Sequence, residues 1–437
     1  MRLERITLLR PNMGNYRSTD AVAPLSMAIL AARTPEDIAV RFYDDKVEAI
    51  PENDSPDLVA ITVETFTARR AYELAAGYRK RGVPVVMGGY QPTFLPDECL
   101  EHADSVVVGD AEGSWERLLA DFRTGALRRT YEGGNERPLD DAAMDRSIFA
   151  GKRYAPVVPV QYGRGCRFSC DFCSIRAFYA NSIRARAPQQ VAGEIGRLGP
   201  RKLVFFVDDN LFNSRPALDA LLSAIRPLGI RWSCQISIDV AKDELLLDRM
   251  AEAGCVFVLI GFESLSAENL RQMRKPWNRV SGDYLSVVGK LHERGMAVYG
   301  TFVFGYDGDT PQTIQRSLDF ALAARLEIAN FNPLTPTPGS PLYDRLSSEG
   351  RLLLPKWWLN PAYRYGDPIF TPRGMEPEDL ARLCFDAKRK FYSWRSISDR
   401  IFGANAGFDW FRAGAVGLAN VISRREVMRK QHRELGV

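Results

Sequence analysis

The chain has 437 residues, 46% hydrophobic and 26% charged, the balance of an ordinary globular protein with length for about two to four domains. Its 58 Lys and Arg against 54 Asp and Glu leave a formal charge of +4, and the two signs are interspersed, so no nucleic-acid partner is implied. Charges at Arg2, Glu4 and Arg5 occupy the place of a signal peptide's apolar stretch, and there is no apolar run of about 18 residues, so a cytoplasmic protein without a membrane span is expected.

Residues 6–9 form a short apolar strand, and residues 10–15 a polar loop. A helix over 23–32 and a strand over 38–43 come next. Residues 58–63 are almost continuously apolar, the mark of a parallel strand covered on both faces. A helix over 67–80, a buried strand over 83–89 and a fifth strand over 105–109 complete a parallel α/β domain spanning residues 1–140. Gly88, Gly89 and Gly109 end their strands at the carboxyl edge, where open α/β sheets take ligands. Read as simple strand-to-helix turns, they need no ligand. No glycine fingerprint follows the first strand, which argues against a nicotinamide site.

Only three histidines exist, His102, His292 and His432, so metal chemistry must run through thiolates. The odd total of seven cysteines fits a disulfide framework poorly, and Cys99, Cys234, Cys255 and Cys384 read as scattered small apolar residues. Cys166, Cys170 and Cys173 lie within eight residues, in a glycine-bearing loop just past the apolar run 157–160. Three thiolates in so short a loop close on one soft metal centre. A structural zinc would want a fourth ligand nearby, and none follows. The set fits a [4Fe–4S] cluster with one open iron, with zinc or a closed, redox-inert cluster as the alternatives.

Strands over 202–210, 231–236, 255–263, 298–305 and 328–332 then alternate with helices, giving six strand–helix units when the strand before the cysteines is counted. That is too few for a closed eight-unit ring. Polar groups at the carboxyl ends of such strands read as site residues, namely Asp208, Asp209, Asn210, Ser233, Gln235 and Glu263. The simpler account makes Glu263 an N-cap for a helix starting near Ser266, and Asp208 to Asn210 another cap. A proline-punctuated loop over 332–343 precedes an aromatic patch of Trp357, Trp358, Tyr363 and Tyr365, which lines an apolar or planar substrate pocket or packs a C-terminal core. A helix over 377–394 follows. The basic stretch 424–433 is a solvated face or a peripheral contact for anionic lipid headgroups.

Cys-x3-Cys-x2-Cys with an aromatic before the last cysteine resembles the signature of the radical S-adenosylmethionine (SAM) superfamily. The resemblance implies that Cys166, Cys170 and Cys173 hold three irons of a [4Fe–4S] cluster, while the fourth is chelated by SAM and cleaves it reductively. Phe172 would pack beside the cluster and the adenine, and Gly261-Phe262-Glu263 would hold the SAM amino group. Asp208 would rim the SAM space, Ser233 and Gln235 would contact ribose or substrate, and Gly300 would let the backbone approach adenine. An electron donor such as flavodoxin or ferredoxin is implied as partner, together with an open (βα)6 barrel over residues 155–345.

The N-terminal stretches 57–61, 85–93 and 102–112 are similar to the cobalamin-binding domain that precedes such barrels, and 332–343 resembles the segment that ends them. The implied fold is a Rossmann-like cobalamin domain, a linker over 141–154, the barrel, and a small, mostly helical domain over 346–437. Where relatives place a cobalt-ligating histidine, the chain has Asp44-Asp45-Lys46-Val47-Glu48, and His102 falls in a surface loop. Cobalamin is therefore expected near Gly88, Gly89 and Gly109 without a protein histidine ligand. The implied activity is methyl transfer from cobalamin to an unactivated carbon of a small molecule. The alternative is a cyclisation, oxidation or rearrangement on the same architecture.

Overall fold

The computed structural model describes every residue except 1, 15, 135–138, 140–142, 181, 200–202, 280–282, 403–409 and 436–437. Lys202 at the start of an expected strand, Asn15 in the first polar loop, and Asp140, Asp141 and Ala142 at the expected domain boundary lie outside the described residues.

The N-terminal unit runs β1 (Arg5–Arg10), α1 (Leu25–Ala32), β2 (Ala39–Asp44), β3 (Leu58–Thr62), α2 (Ala68–Lys80), β4 (Val85–Gly88), α3 (Tyr90–Phe94), α4 (Pro96–His102), β5 (Ser105–Gly109), α5 (Trp115–Thr124) and β6 (Thr130–Gly133). All six strands are parallel, in the order β2-β1-β3-β4-β5-β6, so the topological switch lies between β1 and β3. Helices cover both faces, which is why β3 is buried from Leu58 to Ile61. The sixth strand escapes the sequence reading because it is an edge: only Tyr131 is buried, and Thr130 and Glu132 face solvent.

The second unit runs β7 (Val157–Val160), β8 (Gly163–Arg164), α6 (Ser174–Tyr179), β9 (Arg184–Ala185), α7 (Pro188–Arg197), β10 (Leu203–Phe206), α8 (Arg215–Ile225), β11 (Arg231–Gln235), α9 (Glu244–Glu252), β12 (Cys255–Glu263), α10 (Ala267–Gln272), α11 (Tyr284–Glu293), β13 (Ala297–Phe304), α12 (Pro311–Ala323) and β14 (Ile328–Pro333). Its parallel sheet has the order β14-β13-β12-β11-β10-β7, and β7 does not pair with β14, so the barrel stays open on one side. Burial alternates along the strands. Val258, Ile260, Phe262, Phe302, Phe304 and Phe331 are buried in the layer beneath the helices, while Phe257, Leu259, Tyr299, Thr301 and Asn330 are half-buried and point into the barrel.

The last stretch comprises α13 (Pro341–Ser348), α14 (Pro377–Phe391), α15 (Trp394–Phe402) and α16 (Trp410–Lys430). The single helix expected over 377–394 stops at Phe391, and a new one starts at Trp394. Among the described residues, this stretch has no core of its own. Phe391 and Tyr392 pack into the barrel core, whereas Trp357, Trp358, Tyr363 and Leu435 pack into the N-terminal core beside Tyr72, Tyr78 and Cys99. The aromatic patch is therefore core, but of the N-terminal unit.

The basic stretch is the end of α16 and its turn, and most of its charges are used within the protein, with Arg425 exposed. Arg424 donates to the Tyr392 carbonyl, Arg429 and Arg433 lie over the Tyr16 ring, and Lys430 pairs with Asp20 at 2.9 Å. Asn420 donates to the Glu327 carbonyl at the foot of β14, and Thr19 donates to Glu426. Because Ala155, just before β7, donates to the Ala21 carbonyl, the loop around Thr19 and helix α16 together span the open side of the barrel. Among the described residues, no helix is long and apolar enough to cross a membrane.

Candidate active site between the two sheets

The cysteine loop leaves the carboxyl end of β7 and is gripped by the polar end of β10. Asp208 accepts the backbone N–H of Tyr162 at 3.0 Å and that of Gly163. Asp209 accepts Gly165 N–H at 2.8 Å, and Asn213 accepts Arg167 N–H while donating to the Gly165 carbonyl. Gly165 has φ +85°, and a Cβ there would stand 2.0 Å from the Ser182 carbonyl oxygen, so only glycine serves. The Asp208–Asn213 stretch is thus a clamp on the cluster loop. It is not a helix cap, since Ser214 caps α8 itself. Burial pushes the Asp208 carboxyl up to about 7 against the pull of its two N–H donors.

The three thiols share this loop and are half-buried or buried. The backbone at Phe168 and the Asn210 side chain favour the Cys166 thiolate, and the backbone at Ile175 and Arg176, at the start of α6, favours the Cys173 thiolate. Burial raises all three thiol pKa values, Cys170 to about 12, with Lys275 opposing. Among the described residues no three side chains already form a finished metal cage. The donor set nonetheless suits an iron–sulfur cluster: three thiols in one short loop, with backbone groups that favour the thiolate form of Cys166 and Cys173. Phe172 is half-buried against the barrel core beside them.

Glu263 ends β12 in an unusual conformation, with φ +59° at a register shift between Gly261 and Glu263. A non-glycine residue held there is strained, as at sites where a side chain must be aimed. Its carboxylate folds back over Gly261 and accepts from Lys275 Nζ at 2.8 Å, and Lys275 also donates to the Gly261 carbonyl. Both side chains are about one-tenth exposed or less. Ser266 caps α10 without help from Glu263, so the cap reading of Glu263 does not hold. Lys275 was invisible to strand-end reasoning. Its signal is the run 271–279, four cations without an acid.

Ser233 donates to the Val204 carbonyl at 3.3 Å, and Gln235 donates to the Asp209 carbonyl at 2.9 Å, both on the inward side of β11. Gly300 faces the other way: a Cβ there would meet Leu326 at 2.6 Å and Phe262 at 3.2 Å in the helix layer. Its glycine is a packing requirement.

Gly88, Gly89 and Gly109 line a crevice of about 260 Å³ at the carboxyl edge of the N-terminal sheet. Ala60, Thr62, Met27 and Trp115 wall one side, and Gln161, Arg164, Phe178 and Tyr179 of the cysteine segment wall the other. Gly89 has φ +107°, and a Cβ there would come within 3.0 Å of the Val63 carbonyl oxygen. The crevice is mostly apolar and of a size for a substituted aromatic base, which suits the nucleotide tail of cobalamin. No histidine lines it. His102 stacks on Tyr72 with centroids 4.0 Å apart in the opposite layer, and Asp44 and Asp45 are held by Arg10, Tyr154, Arg17 and Arg70.

A lattice of ion pairs fixes the two units across this crevice. Arg164, two residues before Cys166, pairs with Asp110 at 2.9 Å and Glu112 at 2.5 Å, and Arg184 pairs with Asp110 as well. These side chains are 7–20% exposed.

Residues 160–321 match the model of the radical SAM superfamily, and residues 23–119 match that of the B12 binding domain. The bacteriochlorophyllide d C-12(1)-methyltransferase of Chlorobaculum tepidum is 31% identical over 419 residues, which cover 92% of this chain and 91% of that protein. The bacteriochlorophyllide d C-8(2)-methyltransferase of the same organism is 28% identical, covering 76% of this chain and 78% of that one. The structure of the radical SAM methyltransferase TsrM from Kitasatospora setae, with cobalamin and a [4Fe–4S] cluster bound, superposes with a TM-score of 0.66 at 17% identity, covering 98% of this chain and 99% of the other. The chain belongs to the radical SAM enzymes that carry a cobalamin-binding domain. Within them it stands with the C-methyltransferases, and its cofactors are a [4Fe–4S] cluster, SAM and cobalamin.

Proposed function

We infer that this enzyme methylates an unactivated carbon of a planar, largely apolar small molecule of the tetrapyrrole kind. The observation that carries the reading is the shared wall of the crevice, where glycines of the N-terminal sheet face Arg164, Phe178 and Tyr179 of the cysteine segment. A methyl donor held by one unit and a radical source held by the other are thereby neighbours. When bound, the cluster and SAM supply the 5′-deoxyadenosyl radical, and cobalamin supplies the methyl group.

The chain's own residues bind and orient. The three cysteines take the cluster, and the Asp208–Asn213 clamp holds their loop. Glu263 and Lys275, which satisfy each other in this structure, present the two charges that the amino and carboxylate groups of SAM require. Inside the barrel, Phe257, Leu259, Tyr299, Thr301 and Asn330 offer apolar, aromatic and neutral hydrogen-bonding surface without charge. Such a lining suits a planar ring system and spares a radical from nearby thiols. The tetrapyrrole choice is supported by the names of the two bacteriochlorophyllide methyltransferases. The reading includes a small one-electron donor protein, flavodoxin or ferredoxin, and a reducing cytoplasm in which seven cysteines stay free.

The test is anaerobic turnover of a magnesium tetrapyrrole with trideuteromethyl-labelled SAM. The expected product has one hydrogen replaced by the labelled methyl, with 5′-deoxyadenosine and S-adenosylhomocysteine formed in equal amounts. 5′-Deoxyadenosine alone, with an unchanged carbon count, would replace methyl transfer by cyclisation or oxidation. Methylation of other planar or lipid substrates, with no reaction on tetrapyrroles, would overturn the substrate class only.

A further inference from the structure

The stretch Arg271-Gln272-Met273-Arg274-Lys275-Pro276-Trp277-Asn278-Arg279 holds four cations and no acid. It lies directly against the cysteine loop, because Asp171 N–H donates to the Met273 carbonyl at 3.1 Å. Lys275 turns inward to Glu263. Arg271, Arg274 and Arg279 turn outward, are exposed, and form no ion pair among the described residues. Between the inward and outward groups, Trp277 stacks on Phe168 with ring centroids 3.5 Å apart and planes 11° apart. Phe168 sits between two of the cluster cysteines, and both rings are half-buried, Trp277 also packing against the barrel core. Arg167 lies over Phe168 at 4.7 Å and Lys275 Nζ over Trp277 at 5.0 Å.

A solvated turn usually mixes signs. Here three unpaired, exposed guanidiniums of one sign lie on the same short turn as Trp277, whose half-buried ring stacks on the cluster loop. We propose that this face is the docking surface for an acidic one-electron carrier of the flavodoxin or ferredoxin kind, with the Phe168–Trp277 stack as the point of closest approach to the cluster. The proposal rests on the radical SAM reading above and adds the place and charge of the encounter. In the step, a reduced flavodoxin gives up one electron and becomes its semiquinone, and the cluster goes from the 2+ to the 1+ state. That electron then breaks the sulfur–C5′ bond of SAM into methionine and the 5′-deoxyadenosyl radical. Neither ring is itself oxidised or reduced. The stack only shortens the gap.

Opposite charges chiefly raise the rate of encounter, and salt screens them. The holoenzyme and an Arg271→Gln/Arg274→Gln/Arg279→Gln variant would be compared in flavodoxin affinity, in stopped-flow semiquinone formation, and in SAM cleavage driven by dithionite. The variant is expected to lose about tenfold in flavodoxin association rate at low salt, with a flattened salt dependence. Its dithionite-driven cleavage and iron content should match wild type. Unchanged flavodoxin kinetics, or an equal loss with dithionite, would overturn the proposal, the latter assigning the arginines to fold or substrate. If wild-type enzyme cleaved no SAM with dithionite, the radical SAM reading would fall, while flavodoxin binding would still decide the docking surface.

Discussion

Replacing Arg164 by Met keeps most of its volume and removes the one charge that joins Asp110, Glu112 and the Gln161 side chain, which it meets at 2.9, 2.5 and 2.9 Å. Asp110 retains Arg184, but Glu112 loses its nearest cation. Removing one partner of a buried pair costs about 3–5 kcal/mol, because a charge is left without compensation. Glu112 is 20% exposed and can reach some water, so the lower end, about 3 kcal/mol, is expected here. Urea unfolding should report that loss. A further Glu112→Gln change removes the stranded charge and should restore about half of the loss, leaving a clear coupling in the double-mutant cycle. Because Arg164 stands between the crevice and the cysteines, the single variant should also take up less cobalamin at full iron content. A loss below about 1 kcal/mol, or a double variant no better than the single, would refute the lattice as the tie between the two units.

Cys166→Ala, Cys170→Ala or Cys173→Ala should each abolish SAM cleavage and lower iron content, whereas Cys234→Ala and Cys255→Ala should keep the cluster, as read by iron assay and electron paramagnetic resonance. Glu263→Gln should weaken SAM binding by about tenfold or more at unchanged iron, a charge-assisted hydrogen bond of roughly 1.5–3 kcal/mol, measured by calorimetry. Asp309, 1% exposed, accepts from Gly305 and Tyr306 N–H, Asn269 and Thr313, and burial pushes its carboxyl up to about 6 from 3.8. The folded state thus keeps that proton longer than the unfolded chain, so this group should cost about 3 kcal/mol of stability as pH rises from about 4 to 6, and Asp309→Asn should flatten that fall in urea titrations. Cobalamin in the Co(II) state should show no nitrogen superhyperfine splitting from the protein, and a splitting lost in His102→Ala would contradict the crevice as its site.

The strands legible in the sequence were those written as continuous apolar runs, such as β3, covered on both faces, and β12, because such runs need no knowledge of their neighbours. β6 was not legible, since an edge strand with Tyr131 as its sole buried residue looks like a turn. The cysteine loop was legible because its ligands are adjacent in the chain. The roles of Asp208 and Lys275 were not: each depends on which backbone or side chain the fold brings opposite, Gly163 in one case and Glu263 in the other. Gly300 illustrates the limit from the other side. Glycine signals a close approach, but the sequence does not say whether the approaching group is a ligand or, as here, the Leu326 side chain.

The seating of Trp357, Trp358, Tyr363 and Leu435 in the N-terminal core bears on how the chain is made. On a ribosome, the cobalamin unit emerges first but lacks the aromatic half of one face until the barrel has been synthesised. That face must wait open or be shielded by a chaperone. A fragment ending near residue 140 is expected to aggregate rather than bind cobalamin, and to become soluble only when the 352–372 segment is supplied. The same dependence means that the unit cannot be exchanged between relatives as a free-standing cassette: a graft has to carry its distant aromatic lining with it.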